Sequence, residues 1–422
     1  MKRVDFFYDF ACPYAYLAHT QIEALCARTG AELVWRPFLL GGVFRALGTP
    51  DVPAAMMPAP KARLNLLDMH RWALAFGVPL VMPETHPNRT VLALRAAIAS
   101  DDLPRASKAL FHAYWALALD LSRAEVVRDA LDRAGFDGAA LVAAAEEESN
   151  KQALRRRTDE AIAAGVFGAP ACVVTVVPER DGDPAALPGA LFWGQDRLAM
   201  VERALGGEPP ARLERAASPS AHDLVFYFDF SSPFAYLAAT QVERIAASAR
   251  STVVYRPFLL GALFKQIGTP VVPLFAAPEA KQRHYRDDMQ RWALHWDVPL
   301  RFPTRFPMNS VKALRLVLAA PTSHWRDLIA ALFRAAWADD RDLGSDDVLA
   351  SIATDVGLDG AATVLASHDA EVRRRLFAAT SDAVLVGLCG APTFVVGEHL
   401  IWGQDRLDFV ERSLRGVRLD RL

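Results

Sequence analysis

The sequence predicts an α/β protein built from two tandem copies of one domain, each a small mixed sheet interrupted by a long helical insert. Three observations predict it. The stretch Val4-Asp5-Phe6-Phe7-Tyr8-Asp9-Phe10-Ala11-Cys12-Pro13-Tyr14-Ala15-Tyr16-Leu17 passes from a short apolar run into a helix start, and Val225-Phe226-Tyr227-Phe228-Asp229-Phe230-Ser231-Ser232-Pro233-Phe234-Ala235-Tyr236-Leu237 repeats it 220 residues later. Late in each copy a proline directly precedes a β run, at Ala169-Pro170-Ala171-Cys172-Val173-Val174 and Ala391-Pro392-Thr393-Phe394-Val395-Val396. A proline fits a strand's first position because it has no N–H for the ladder. Between these points, from about 88 to 165 and about 308 to 386, apolar residues recur at helical spacing.

In chain order, residues 3–10 read as a buried strand and residues 13–29 as a helix stopped by Gly30. Pro13 suits the first helical position, where a missing N–H costs nothing, so Cys12 becomes the N-cap. Free backbone N–H groups and the helix dipole at that end are expected to lower a thiol's pKa and favour an anion. The second copy carries Ser232 at this position. Ala31 to Phe38 alternates as a second strand and runs into Arg36-Pro37-Phe38-Leu39-Leu40-Gly41, matched by Arg256-Pro257-Phe258-Leu259-Leu260-Gly261. Proline-rich loops follow, Gly48 to Pro60 and Gly268 to Pro278, and read as stiff pocket rims. Each copy closes with a strand end, a glycine turn and an acidic helix start, at Trp193-Gly194-Gln195-Asp196-Arg197-Leu198 and Trp402-Gly403-Gln404-Asp405-Arg406-Leu407. The first copy holds the longer final hairpin, whose extra residues 178–184 read as an exposed loop. Residues 207–221, rich in Pro, Ala and Ser, read as a linker between domains 1–206 and 222–422.

Composition bounds the function. The chain has 422 residues, 52% of them hydrophobic, and each half is long enough to bury its own core. A net charge of −2 gives no reason to expect nucleic-acid or anionic-lipid binding. No apolar run reaches membrane-spanning length, and Met1-Lys2-Arg3 leading straight into a strand gives the expectation of no signal peptide. The cysteines Cys12, Cys26, Cys172 and Cys389 show neither CxxC nor metal-type spacing. A reduced, cytoplasmic protein with no metal site is the expectation.

The motifs Asp229-Phe230-Ser231-Ser232-Pro233-Phe234-Ala235-Tyr236-Leu237, Arg256-Pro257-Phe258-Leu259-Leu260-Gly261, Phe306-Pro307-Met308-Asn309-Ser310, Gly390-Ala391-Pro392 and Gly403-Gln404-Asp405-Arg406-Leu407 occur in that order. The chain thereby resembles the DsbA-like thioredoxin superfamily, and within it the branch of 2-hydroxychromene-2-carboxylate isomerases and kappa-class glutathione transferases. The resemblance spans about 205 residues of each half. It implies tandem thioredoxin-like domains with helical insertions, and an isomerase or transferase that uses glutathione on a small aromatic or conjugated substrate. It also implies that the glutathione sulfur lies near Ser232, and that the backbone of Ala391 before a cis Pro392 pairs with the cysteinyl part. Gln404 and Asp405 would hold the γ-glutamyl end, and Asn309 would meet ligand. The first-copy counterparts are Ala169, Pro170, Gln195 and Asp196. The family reaction is described as thiolate addition to a conjugated enone, bond rotation and elimination. Relatives of this branch are usually homodimers of single-domain chains, which implies an intramolecular pseudo-dimer of the two halves.

Each candidate has a plainer reading. An N-cap serine such as Ser232 is common in ordinary helices, and Asn309 could simply cap the helix after it. Cys12 could be a buried structural thiol, a single-thiol nucleophile or an oxidisable remnant; Ala15 occupies the usual partner position. Lys61, Lys281, Arg71 and Arg291 could be solvated or could meet carboxylates. Trp72, Trp292, Cys26 and Cys172 read as core. The first copy has Arg89 where the second has Asn309, so its site is expected to be altered. Competing with the glutathione reading are a thiol oxidoreductase that uses Cys12 alone and a non-catalytic scaffold.

Overall fold

The structure, a computed structural model, describes residues 1–50, 53–177, 187–210 and 221–419. The predicted loop at 178–184 and most of the predicted linker lie outside the described residues. The chain divides into two compact units. The first comprises Met1–Met56, Leu67–Pro210 and Pro278–His284; the second comprises Met57–Leu66, Ala211–Ala277 and Tyr285–Leu422.

The first repeat runs β1 (Lys2–Tyr8), α1 (Pro13–Thr29), β2 (Glu32–Pro37), α2 (Leu40–Ala46), α3 (Ala59–Phe76), α4 (Val91–Ala99), α5 (Leu103–Trp115), α6 (Ala124–Arg133), α7 (Gly138–Ala145), α8 (Glu148–Ala163), β3 (Ala171–Val176), β4 (Leu187–Trp193) and α9 (Leu198–Ala204). The sheet order is β2-β1-β3-β4. β1 and β2 are parallel, as a strand–helix–strand connection requires, while β3 and β4 run antiparallel.

The second repeat runs β5 (Leu224–Phe228), α10 (Pro233–Ala239), α11 (Val242–Ser248), β6 (Val253–Pro257), α12 (Leu260–Ile267), α13 (Glu279–Trp296), α14 (Val311–Ala319), α15 (Trp325–Trp337), α16 (Asp346–Asp355), α17 (Gly360–Ser367), α18 (Ala370–Val386), β7 (Thr393–Val396), β8 (His399–Trp402) and α19 (Leu407–Leu414). Its sheet has the matching order β6-β5-β7-β8. The mixed sheet, the insert and the closing helix stand as the sequence predicts. One difference is local: α1 is continuous to its Gly30 cap (φ 65°), whereas the equivalent helix is divided into α10 and α11 around Thr240 and Gln241.

The core explains why the first strand leads to a fixed turn. Phe6, Tyr8 and Phe10 are fully buried and pack with Trp35 and Phe111 in the first unit. Phe226, Phe228 and Phe230 pack with Tyr255 and Phe333 in the second. Alternate side chains on one strand face the same way, so these aromatic residues form one continuous wall under the helical insert.

Candidate active sites of the two units

In the second unit the site is the turn between β5 and α10. Ser232 takes an extended conformation (φ −97°, ψ 117°) and caps α10, with Pro233 at the first helical position. Its Oγ accepts from Ala235 N at 3.2 Å and donates to the Ala391 carbonyl at 2.8 Å. The Ala391-Pro392 bond is cis. Two groups that the resemblance assigns to one ligand therefore meet each other directly: the Ser232 hydroxyl and the backbone of Ala391. For Ser232 to donate to a sulfur, its O–H must rotate off that carbonyl.

The turn Gln404–Arg406 packs on α10. Gln404 is almost fully buried, and neither Oε1 nor Nε2 of its amide has a hydrogen-bond partner. A buried amide left unpaired costs free energy unless a ligand completes it. Gln195 Nε2 is unpartnered in the same way in the first unit. The glycine before this turn is required. Gly403 has φ 106°, and a Cβ there would stand 2.5 Å from Asp405 Oδ1. Asp405 pairs with Arg406 at 3.2 Å, and Asp196 with Arg197 at 2.8 Å.

In the first unit Cys12 has the same backbone geometry (φ −96°, ψ 116°), and the preceding peptide of its cis proline, Ala169-Pro170, faces it. Cys12 Sγ donates to the Ala169 carbonyl at 3.0 Å. The expectation of an ionised thiol is corrected here. Burial pushes the Cys12 thiol up to about 12; the Ala15 and Tyr14 amides pull it down less, and the Asp9 charge raises it further. Desolvation of the thiolate outweighs the helix start because the sulfur is enclosed. Cys26 and Cys172 are buried packing residues as predicted, and burial also pushes Cys389 up to about 12.

Asn309 is exposed and precedes Ser310, the N-cap of α14; its Oδ1 accepts from Val311 N, the first residue of that helix, at 3.1 Å. Arg89 is exposed at the matching point of the first unit, while Asn88 N donates to Tyr114 Oη at 3.2 Å. Lys281 is not a solvated lysine: it lies in the first unit with its Nζ 4.9 Å from the Trp193 ring, and burial lowers its pKa. Lys61 stands 5.6 Å from the Trp402 ring in the second unit. Arg71 and Trp72 are buried, and Trp292 is half-buried against Trp296.

Sequence reasoning missed the groups that hold the turn. Asp229 is fully buried. Its Oδ1 accepts from Ser231 N at 2.9 Å, its Oδ2 accepts from Leu260 N at 2.7 Å, and the Ser310 hydroxyl donates to it. Asp9 does the same with Ala11 N, Leu40 N and Thr90 Oγ1. One carboxylate thus ties together the reactive turn, the next helix and the entry to the insert. Burial raises both carboxyls against the pull of those donors. Trp115 Nε1 donates to the Phe10 carbonyl at 2.7 Å, and Trp337 Nε1 to that of Phe230 at 2.8 Å. The available signal was an acidic residue recurring inside an otherwise apolar strand end.

The family model described as a DSBA-like thioredoxin domain matches residues 3–206 and again residues 223–415. The 2-hydroxychromene-2-carboxylate isomerase of Sphingobium xenophagum is 30% identical over 195 residues, which cover 45% of this chain and 96% of the relative. Glutathione s-transferase kappa 2 of Caenorhabditis elegans is 30% identical over 234 residues, 52% of this chain and 98% of its own. A solved structure of 2-hydroxychromene-2-carboxylate isomerase aligns with 45% of this chain and 93% of its own at 26% identity and a TM-score of 0.42.

Proposed function

The chain belongs to the DSBA-like thioredoxin family, once in each half, and from that premise we propose that it is a glutathione-dependent isomerase or transferase acting on a small aromatic or conjugated substrate, with its chemistry at Ser232. The observation that carries this reading is Gln404: a nearly fully buried amide with both polar atoms unpaired, on a turn packed against the Ser232 helix. A γ-glutamyl group, with an ammonium and a carboxylate, offers both an acceptor and a donor for that amide. Relatives named as isomerases and kappa-class transferases support the same class.

Gln404 and Asp405 would hold the γ-glutamyl end, and the Ala391 backbone would hold the cysteinyl part. When bound, glutathione supplies a thiol nucleophile for a conjugated carbonyl compound. Ser232 supplies a neutral O–H donor for the negative charge at sulfur. A preorganised donor in an enclosed site stabilises such charge more than water does. Asp229 and Trp337 fix the turn, so the Ser232 oxygen is in place before ligand arrives and only its proton has to turn from the Ala391 carbonyl to the sulfur. In the first unit the enclosed, protonated Cys12 and Arg89 replace Ser232 and Asn309, and we assign the principal activity to the second. The protonated thiol also weighs against a Cys12 oxidoreductase, which needs a thiolate. Pairing of the two halves within one chain is part of the proposal and rests on the duplication.

The test is turnover of a hydroxychromene carboxylate with glutathione by the full chain. Ser232→Ala is expected to lower kcat by about a hundredfold or more, whereas Cys12→Ala should leave most activity. Loss of activity with Cys12→Ala and not with Ser232→Ala would reverse the assignment.

A further inference from the structure

A cleft of about 190 Å³ in the second unit is lined by Pro307, Met308, Asn309, Asp340, Arg341 and Asp342, among others. Both of its walls are tethered to the Ser232 turn. Asn309 precedes Ser310, whose hydroxyl donates to Asp229. Arg341 lies four residues after Trp337, whose indole holds the Phe230 carbonyl.

The cleft lining holds two arginines and two aspartates, and Arg301, just outside the lining, adds a third cation that pairs with one of those aspartates. Asp340 pairs with Arg301 at 3.3 Å and accepts from Thr304 N at 2.9 Å. Asp342 pairs with Arg305 and accepts from Gly344 N at 2.8 Å. Two carboxylates are thus matched by two guanidiniums. Among the described residues no ion pair or side-chain hydrogen bond engages Arg341, which is only half-exposed. Asn309 spends its Oδ1 on Val311 N, which leaves its Nδ2 donors for the cleft. A planar fork of guanidinium donors beside an amide N–H suits a carboxylate.

In the first half the charged and neutral residue types at the two aligned positions are reversed. The chain leaves α5 and α15 through residues with the same left-handed φ of 54°, Ala118 and Asp340, which aligns Leu119 with Arg341. Arg89 aligns with Asn309. Each half therefore carries one arginine across these two aligned positions, Arg89 in the first and Arg341 in the second.

We propose that this cleft is an anion subsite in which Arg341 and the Asn309 amide take the carboxylate of a small-molecule ligand. Calling that ligand a substrate rests on the function proposed above; the subsite itself does not. Two carboxylates qualify, that of an aromatic substrate and one of glutathione's own, and the test separates them.

Calorimetry on the full chain would titrate 2-naphthoate, its uncharged counterpart 2-naphthamide, and glutathione, into wild type, Arg341→Leu, Arg341→Gln and Arg341→Lys. Leucine is the residue of the first half at this position, and glutamine is the second neutral variant should leucine perturb folding. The expected result is a loss of 2-naphthoate affinity of about tenfold or more in either neutral variant, partial recovery with lysine, and unchanged 2-naphthamide. Loss of glutathione affinity instead would support the anion subsite and assign it to the tripeptide. Unchanged affinity for both anions, or no binding of either to wild type, would overturn the proposal. Ser232→Ala keeps the two readings distinct: unimpaired turnover in that variant sinks the catalytic assignment and leaves the naphthoate result standing.

Discussion

At the scale of the residue, the two reactive positions share a backbone and differ in what their side chains can do. Ser232 stays neutral and can turn its proton toward a ligand. Cys12 has its proton committed to the Ala169 carbonyl and its thiol pushed up to about 12 by burial. At pH 8 the native chain should be alkylated at Cys12 by iodoacetamide at about a thousandth of the unfolded rate, the ratio of thiolate fractions implied by that shift from an ordinary cysteine. Mass spectrometry of the Cys12 peptide measures it, and labelling at the unfolded rate would refute the buried assignment. The linkage has a defined sign. Folded and unfolded thiols are both protonated below the unfolded value of 9.0. The thiol's contribution is therefore intact there, and is lost as pH rises toward about 12, because only the unfolded chain then gives up the proton.

At the scale of the element, each site depends on a few obligatory backbone positions. Gly403 is one, because its φ of 106° is strained for any other residue and a Cβ there would force Asp405 Oδ1, 2.5 Å away, to turn aside. Gly403→Ala should destabilise the second unit by about 1–3 kcal/mol and weaken glutathione binding by displacing the Gln404 turn. Thermal melts and calorimetry on the full chain check both effects. An unchanged melt with unchanged affinity would mean the turn relaxes without consequence. The helix starts were legible from Pro13 and Pro233, and the strands from their apolar runs. The Asp229 clamp was not, because its partners Leu260 and Ser310 lie far along the chain and nothing local marks them as donors.

At the scale of the whole molecule, the duplication was plain in the sequence, but the compact units do not follow it strictly. The second unit includes Met57–Leu66, and the first includes Pro278–His284. A separately expressed half, residues 222–422, lacks part of its own unit. It should melt several degrees below the full chain, and mixing it with residues 1–206 should restore stability if the halves pair. Identical melts for the isolated half and the full chain would show that the exchanged segments contribute nothing, and failure to associate would count against pairing.

The sequence alone determined the repeat, the mixed sheet, the helical insert and the residues at the reactive turn, because apolar period, proline position and glycine turns act over a few residues. Only the tertiary structure decided the state of those residues. Whether Cys12 ionises depends on how completely the fold encloses its sulfur, and whether Gln404 lacks partners depends on what packs around it. The balance of charge beside Asn309 likewise needs Arg301, Arg305 and Arg341 placed in space. Desolvation and pairing are sums over neighbours distant in sequence, and local pattern holds no record of them.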